Sequence, residues 1–281
     1  CWKRTATTPS STGPRISMDK QEKSFLIARA AQEPEDRLLL ARVLDKQEQM
    51  ERRNIPASTG FLSPREQMMA VSLLNAAGIR EGYILDGGYE GAERKVLTFL
   101  PDWAEEDPEA LAFLRAAFRG ADSTLTHRDI LGSLMGQGIT RGRVGDILIS
   151  DHSADVVVSP SLAEFLLQNW DSAGRVRLEV SAIVREELTI PQVQIKEVRD
   201  TVSSLRLDAV VAAAFSLSRG KAAELIAAGR VSLDHVPCEK PDKPVSQGAV
   251  ITARGLGKAR VAECGRTTKK GRIALTIERY V

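Results

Sequence analysis

Residues 204–261 read SLRLDAVVAAAFSLSRGKAAELIAAGRVSLDHVPCEKPDKPVSQGAVITARGLGKARV, and this stretch decides the fold of the C-terminal part of the chain. Leu207, Val210, Val211 and Ala214 recur at helical spacing, which predicts a first helix over about 205–215 with Ser204 as its cap. Ser218 is the expected cap of a second helix, in which Ala222, Leu225 and Ile226 fall at i, i+3 and i+4 and Gly229 makes the stop. Val231 and Leu233 alternate with Ser232 and Asp234, the pattern of a half-buried strand. Pro237, Pro241 and Pro244 break the following loop, and residues 250–253 form a second strand closed by Gly255 and Gly257.

The second helix carries a charge pattern that an isolated helix disfavours. Arg219 and Lys221 lie in its first turn. The helix dipole already makes that end positive, so each cation there is unfavourable by a few tenths of a kcal/mol up to ~1. An anion bound at the same place reverses the sign, because free backbone N–H groups and both side chains then converge on it. The alternative is that both side chains simply extend into water. The wider distribution favours a polyanion: residues 201–281 hold 14 Lys and Arg against 7 Asp and Glu, a net of +7, and residues 1–18 hold three bases and no acid. The chain as a whole is only +2, so residues 19–200 carry the balance of −8. A basic end on an otherwise acidic chain is the electrostatic footprint expected for a polyanion, the alternative being ordinary variation in solubility between domains.

Working outward, 281 residues suggest two or three small domains. Residues 1–18 are rich in Ser and Thr, lack acid and show no periodicity. Disorder is expected there, in the manner of an organelle transit-peptide remnant. Residues 19–78 read as a helical N-terminal region. Leu39, Val43 and Leu44 are spaced for a helix, Ser63-Pro64-Arg65-Glu66 is a helix start, and Gly78 is a stop. Residues 79–187 alternate short apolar runs (83–85, 96–100, 147–149, 156–158, 176–183) with helix candidates at 109–118, 127–135 and 161–169. That alternation suggests a ferredoxin-like or RRM-like α+β domain. Aromatic residues are only 5% of the chain, and none of these runs has the aromatic RNP pattern. RNA contact by this domain is therefore expected without a stacking platform.

Catalytic constellations are not persuasive. His127-Arg128-Asp129 has the beginning of a kinase catalytic loop, but Leu134 stands where that loop needs Asn. Thr126 and Asp129 suit a helix cap instead, leaving His127 and Arg128 as candidates for RNA contact. The glycines at 136, 138, 142 and 145 match neither the dinucleotide fingerprint nor the P-loop and are expected in turns. Cys1, Cys238 and Cys264, like the three histidines, are too scattered for a metal site, so no metal, cofactor or small-molecule substrate is expected. No apolar run approaches the length of a membrane span.

The 204–261 segment resembles the S4 RNA-binding domain. The matching pieces are Arg206-Leu207-Asp208, Leu217-Ser218-Arg219, Ala222 and Ala223, Leu225-Ile226, Gly229-Arg230-Val231, and Gly248 with Arg254-Gly255. Upstream, the stretch from His127-Arg128-Asp129 to Gly132-Ser133-Leu134-Met135, followed by Arg143-Val144-Gly145-Asp146-Ile147, is similar to the central domain of YlmH-type S4 proteins. Plant and cyanobacterial relatives of these are described as photosystem II S4 domain proteins. The basic tail Thr267-Thr268-Lys269-Lys270-Gly271-Arg272 fits as well, and the similarity spans 19–281. The resemblance implies an α+β protein with a helical N-terminal region, an RRM-like central domain and an S4 domain at 188–281.

Its implied RNA-facing residues are Arg206, Ser218, Arg219, Lys221, Arg230, Arg254, Lys258 and Arg260, with Lys269 and Lys270 in the tail. Two departures from the S4 pattern stand out: Asp234 replaces a common Asn, and Gly220 loosens the turn beside Arg219. The implied partners are rRNA, tRNA and the large ribosomal subunit. The implied role is non-catalytic, in quality control of stalled translation, on a plastid ribosome. Mitochondrion and bacterial cytoplasm are the alternative locations. The rival functions are an RNA-modifying enzyme of pseudouridine-synthase type and a photosystem assembly factor acting through protein contacts.

Overall fold

The computed structural model describes residues 18–107, 109–118, 125–192, 194–268 and 271–280. Lys269, Lys270 and the stretch 1–17 lie outside the described residues. The N-terminal unit comprises α1 (Lys20–Ala30), α2 (Pro34–Arg53), β1 (Ala57–Leu62), α3 (Pro64–Ala76), β2 (Tyr83–Asp86) and β3 (Lys95–Phe99). The Ser63 start forms as its sequence dictates. The Glu66 carboxylate accepts from the Ser63 N–H at 2.6 Å, while the Ser63 hydroxyl accepts from the Glu66 N–H. Leu40, Val43 and Leu44 of α2 and Leu73 and Leu74 of α3 bury against Leu62, Leu97 and Phe99 of an antiparallel sheet ordered β1-β3-β2. Met18 is buried in the same core.

The expected boundary after Gly78 is therefore displaced. Strand β1 lies in the region expected to be helical, and the runs at 83 and 96, expected in the central domain, pair with each other, the second also pairing with β1. A short apolar run announces a strand, but its partner is chosen by tertiary contacts that periodicity does not encode.

The central unit comprises β4 (Ala112–Ala117), α4 (His127–Gly136), β5 (Val144–Ile149), β6 (Ser153–Val158), α5 (Pro160–Asn169), a small hairpin of β7 (Ser172–Ala173) and β8 (Val176–Arg177), and β9 (Glu179–Ile183). Its four long strands are all antiparallel, in the order β5-β6-β4-β9. Second, third, first, fourth is the order of a ferredoxin-like, RRM-like sheet, as expected. The helix expected over 109–118 is instead strand β4. Its Ala and Leu content favours a helix, but pairing with β6 on one side and β9 on the other overrides that propensity. Leu114, Ala116, Val156 and Val158 point toward α4 and α5, where they bury with Ile130, Leu134, Leu162, Leu166 and Trp170.

The alternation of the strands sends Phe113, Arg115, Asp155 and Val157 to the other face. That face is covered. Phe61 and Val96 of the N-terminal sheet pack on Val157, Leu111 and Phe113. The approach is close enough to require glycine: a Cβ on Gly145 would lie 2.6 Å from the Phe61 ring, and one on Gly60 would lie 2.7 Å from the Gly142 carbonyl oxygen. Beside this strip, Arg115 forms a bidentate pair with Asp155, both bonds being 2.7 Å. Arg115 also donates to the Glu187 carbonyl oxygen and the Thr189 hydroxyl, while the Thr189 N–H donates to Asp155 at 2.7 Å. The chain leaving β9 is thereby pinned across the rest of the face.

The C-terminal unit comprises β10 (Ile195–Val202), α6 (Leu207–Phe215), α7 (Arg219–Ala227), β11 (Val231–Leu233), β12 (Val236–Pro237), β13 (Val250–Ala253), β14 (Gly257–Thr267) and β15 (Ile273–Tyr280). These strands form one antiparallel sheet, β10-β15-β14-β13-β11-β12. The stripe Leu207, Val210, Val211 and Ala214 is buried against Ala222, Ile226, Ile251, Ala259, Val261, Leu275 and Ile277. Ser204 does not cap the first helix. Arg206 holds that position, and the N–H groups of Leu207 and Asp208 donate to the carbonyls of Lys243 and Pro241, each at 2.9 Å. The proline-rich loop thus satisfies the donors that a capping side chain would otherwise take.

Candidate nucleic-acid interface

Asp208, only 7% exposed, sits in the first turn of α6 and accepts from two arginines. Arg206 reaches it with bonds of 3.3 and 3.1 Å, and Arg219, from the start of α7, with bonds of 3.1 and 3.2 Å. The Ala209 N–H adds a fifth donor at 2.8 Å. Burial pushes the Asp208 carboxyl upward, but the hydrogen bonds from Arg219 and Arg206 outweigh it and hold the group below its ordinary range. The two arginine side chains remain 43% and 49% exposed. A buried carboxylate thus orients two guanidinium groups whose side chains stay about half open to solvent.

The start of α7 matches its sequence. The Ser218 hydroxyl accepts from the Lys221 N–H at 3.2 Å, and Arg219, Gly220 and Lys221 are all exposed. Arg219 and Gly220 have no protein acceptor for their N–H groups among the described residues. Lys221 leans on Glu224 at 3.1 Å in a well-exposed pair that contributes little. Arg230 and Arg254 are joined through their backbones. The Arg254 N–H donates to the Arg230 carbonyl at 2.9 Å, and the Arg230 guanidinium donates to the Arg254 carbonyl at 3.2 Å.

Lys258 and Arg260 do not share the helix side of the sheet. Ala259 and Val261 point into the core beneath α6 and α7, so their neighbours point to the opposite face. Arg260 lies 3.7 Å from Glu278. Lys258 sits 5.2 Å from the centre of the Tyr280 ring and is ion-paired with Glu93 of the N-terminal unit. The basic residues are thus divided between two faces instead of converging on one. Asp234 takes a positive φ of 48° in the β11–β12 turn and accepts from the Val250 N–H at 2.8 Å. The carboxylate serves there as an Asn side chain would.

In the central unit, Thr126 and Asp129 form the expected capping box at the start of α4. His127 and Arg128 are exposed on that first turn. Partial burial, and next the charge of Arg141, lower the His127 pKa, so its imidazole is neutral at pH 7. With Asp129 already at the dipole, this helix start suits a phosphate less well than that of α7.

Asp146, from the Arg143–Ile147 match, and three residues not singled out from the sequence lock the domains together. Asp146 accepts from the Tyr89 hydroxyl at 2.9 Å and from the N–H groups of Glu93 and Arg94 at 2.7 and 3.0 Å. Arg94 donates to the carbonyls of Phe61, Arg141 and Val144. Burial raises the Tyr89 pKa and lowers that of Arg141 to about 10, which leaves Arg141 cationic at pH 7.

Oriented guanidinium groups at an open helix start, on a helix pair backed by an antiparallel sheet, define an RNA-binding protein of the S4 class. Residues 205–251 match the S4 domain family, and residues 111–187 match the putative RNA-binding domain in YlmH. Ribosome-associated protein quality control protein P2 of Bacillus subtilis (strain 168) is 36% identical over 225 residues, covering 79% of this chain and 86% of that protein. The structure of cell division protein ylmH from Streptococcus pneumoniae aligns with a TM-score of 0.46 at 20% identity, over 57% of this chain and 98% of that one. The chain belongs to the YlmH family of S4-domain RNA-binding proteins. Among the described residues, no cluster of three His, Cys, Asp or Glu is placed to hold a metal, and no helix is long and apolar enough to cross a membrane.

Proposed function

We propose that this protein binds structured rRNA and tRNA on the large ribosomal subunit and acts there, without chemistry of its own, in quality control of stalled translation. The observation that carries this is the buried Asp208 holding Arg206 and Arg219 beside the exposed start of α7. Such an arrangement grips phosphates and recognises backbone shape more than base identity. The relative from Bacillus subtilis, described as ribosome-associated, supports the ribosomal setting. The acid-free, Ser- and Thr-rich composition of 1–18 supports an organelle as the compartment, and the resemblance to photosystem II S4 domain proteins favours the plastid.

The test is Arg219→Glu combined with Lys221→Glu. Lys221 is exposed, and Asp208 keeps its bonds from Arg206 and the Ala209 N–H when Arg219 is lost, so circular dichroism should stay native, at some loss of stability, while co-sedimentation with ribosomes is lost. A folded double variant that still sediments contradicts the proposal. Incubation of the wild type with transcript RNA followed by nucleoside analysis separates this reading from an RNA-modifying enzyme. RNase sensitivity of the complexes separates it from a protein-only assembly factor.

A further inference from the structure

The three units meet around Glu93. Its backbone N–H is held by Asp146 of the central unit, and its carboxylate pairs with Lys258 of the S4 unit. Lys258 lies over the Tyr280 ring, so its ammonium is held in place from beneath as well as from the front. Arg141 and His127 stand in the same electrostatic neighbourhood. The chain connects this junction to two further arginines. Arg230 and Arg254 lock the end of β13 to the chain leaving α7, and the 254–257 turn leads directly into Lys258 at the start of β14. A basic rim therefore runs from the end of α7, around one end of the sheet, to the junction. Where it arrives, a carboxylate sits on its last lysine.

We infer that the RNA surface continues along this rim to the three-domain junction, where Glu93 holds Lys258 in the place of a backbone phosphate until RNA displaces it. This rests on the S4 domain being the RNA-binding element. It explains why a lysine on the far face of the sheet is matched to an acid from another domain: the pair keeps Lys258 ordered in the free protein and offers it to RNA by exchange of one anion for another. Glu93 is 56% exposed and Lys258 28%, so an incoming strand can reach the pair.

The test is a double-mutant cycle in the full chain with Glu93→Gln and Lys258→Met, read by fluorescence anisotropy with a fluorescein-labelled RNA stem-loop. Glu93→Gln should bind about two- to fivefold more tightly, the range of a partly exposed ion pair. Its salt dependence should steepen by about one counterion. Lys258→Met should weaken binding more in the Glu93→Gln background than in wild type. Equal or weaker binding by a folded Glu93→Gln variant overturns the inference, as does a gain that survives in the double variant, since a general charge effect would then account for it. No binding by wild type removes the S4 reading as well, whereas a silent Glu93→Gln beside a disabling Arg219→Glu removes this inference alone.

Discussion

Asp208→Asn separates an orienting carboxylate from mere local charge. The substitution nearly preserves shape, and the Asn oxygen can still accept from the Ala209 N–H, which now bonds Asp208 at 2.8 Å. It removes the charge that four guanidinium N–H groups share and turns an NH2 group toward donors. Because both arginines are about half exposed, water re-solvates them, and the cost to folding should be about 1–2 kcal/mol, below the 3–5 typical of breaking a fully buried pair.

Binding gives the sharper contrast. Each freed arginine regains part of roughly 2 kcal/mol of rotamer entropy, which RNA must then remove. If about half returns at each, affinity falls by some 2 kcal/mol, more than tenfold. Simple electrostatics predicts the opposite sign, since deleting a carboxylate from a phosphate-binding surface should strengthen attraction. The assay is fluorescence anisotropy against an RNA stem-loop across a salt series, with urea denaturation as the stability control. Weaker binding at an unchanged salt slope supports orientation. A folded Asp208→Asn protein that binds as well as wild type, or better, refutes it.

Two other outcomes follow from the geometry. Gly145→Val places a side chain where a Cβ alone would be 2.6 Å from the Phe61 ring, and should destabilise the packing of the N-terminal sheet on the central one by about 1–3 kcal/mol. Thermal denaturation should show a lowered Tm; an unchanged one contradicts the contact. Asp208, through Arg219 and Arg206, and Asp36, through Arg65, are held below the ordinary aspartate value of 3.8 in the folded state. Their contribution to stability is therefore fully present above about pH 4–5 and is lost as pH falls through the depressed values. Urea midpoints measured against pH should fall in that acid window, and the fall should be shallower in Asp208→Asn; a flat profile would exclude the effect.

Much of the S4 unit was legible because its signals are local. Apolar residues at helical spacing, a serine before the second helix and glycine at its end determine α6 and α7 without help from distant parts of the chain. The capping boxes at Ser63 and Thr126 belong to the same class. What was not legible is pairwise. Nothing in AFLRAA distinguishes a helix from a strand until β6 and β9 bind it on both sides. Likewise, a list of basic residues does not say which face each one occupies. The alternation about the buried Ala259 and Val261 decides that Lys258 and Arg260 leave the helix side. Asp208 stood inside the Arg206-Leu207-Asp208 match and carried a usable signal, an acid two residues after a base at the start of an apolar helix. Glu93 carried none, and Asp146, though inside the Arg143–Ile147 match, gave no sign of what it holds, because their partners are 165 and 52 to 57 positions away.

The double covering of the central sheet bears on how that unit can be studied. Cut out as 111–187, it would lose Phe61 and Val96 from above Phe113 and Val157, and Thr189 from beside Arg115 and Asp155. The excised piece would present to solvent a greasy strip, and an Arg115–Asp155 pair stripped of its Thr189 cover, that the intact chain does not show. A fragment of that kind would stick to other copies and to nucleic acid for reasons unrelated to the native protein. Truncations meant to isolate this unit therefore need to carry 57–99 and run past Thr189, or they will assay a surface created by the scissors.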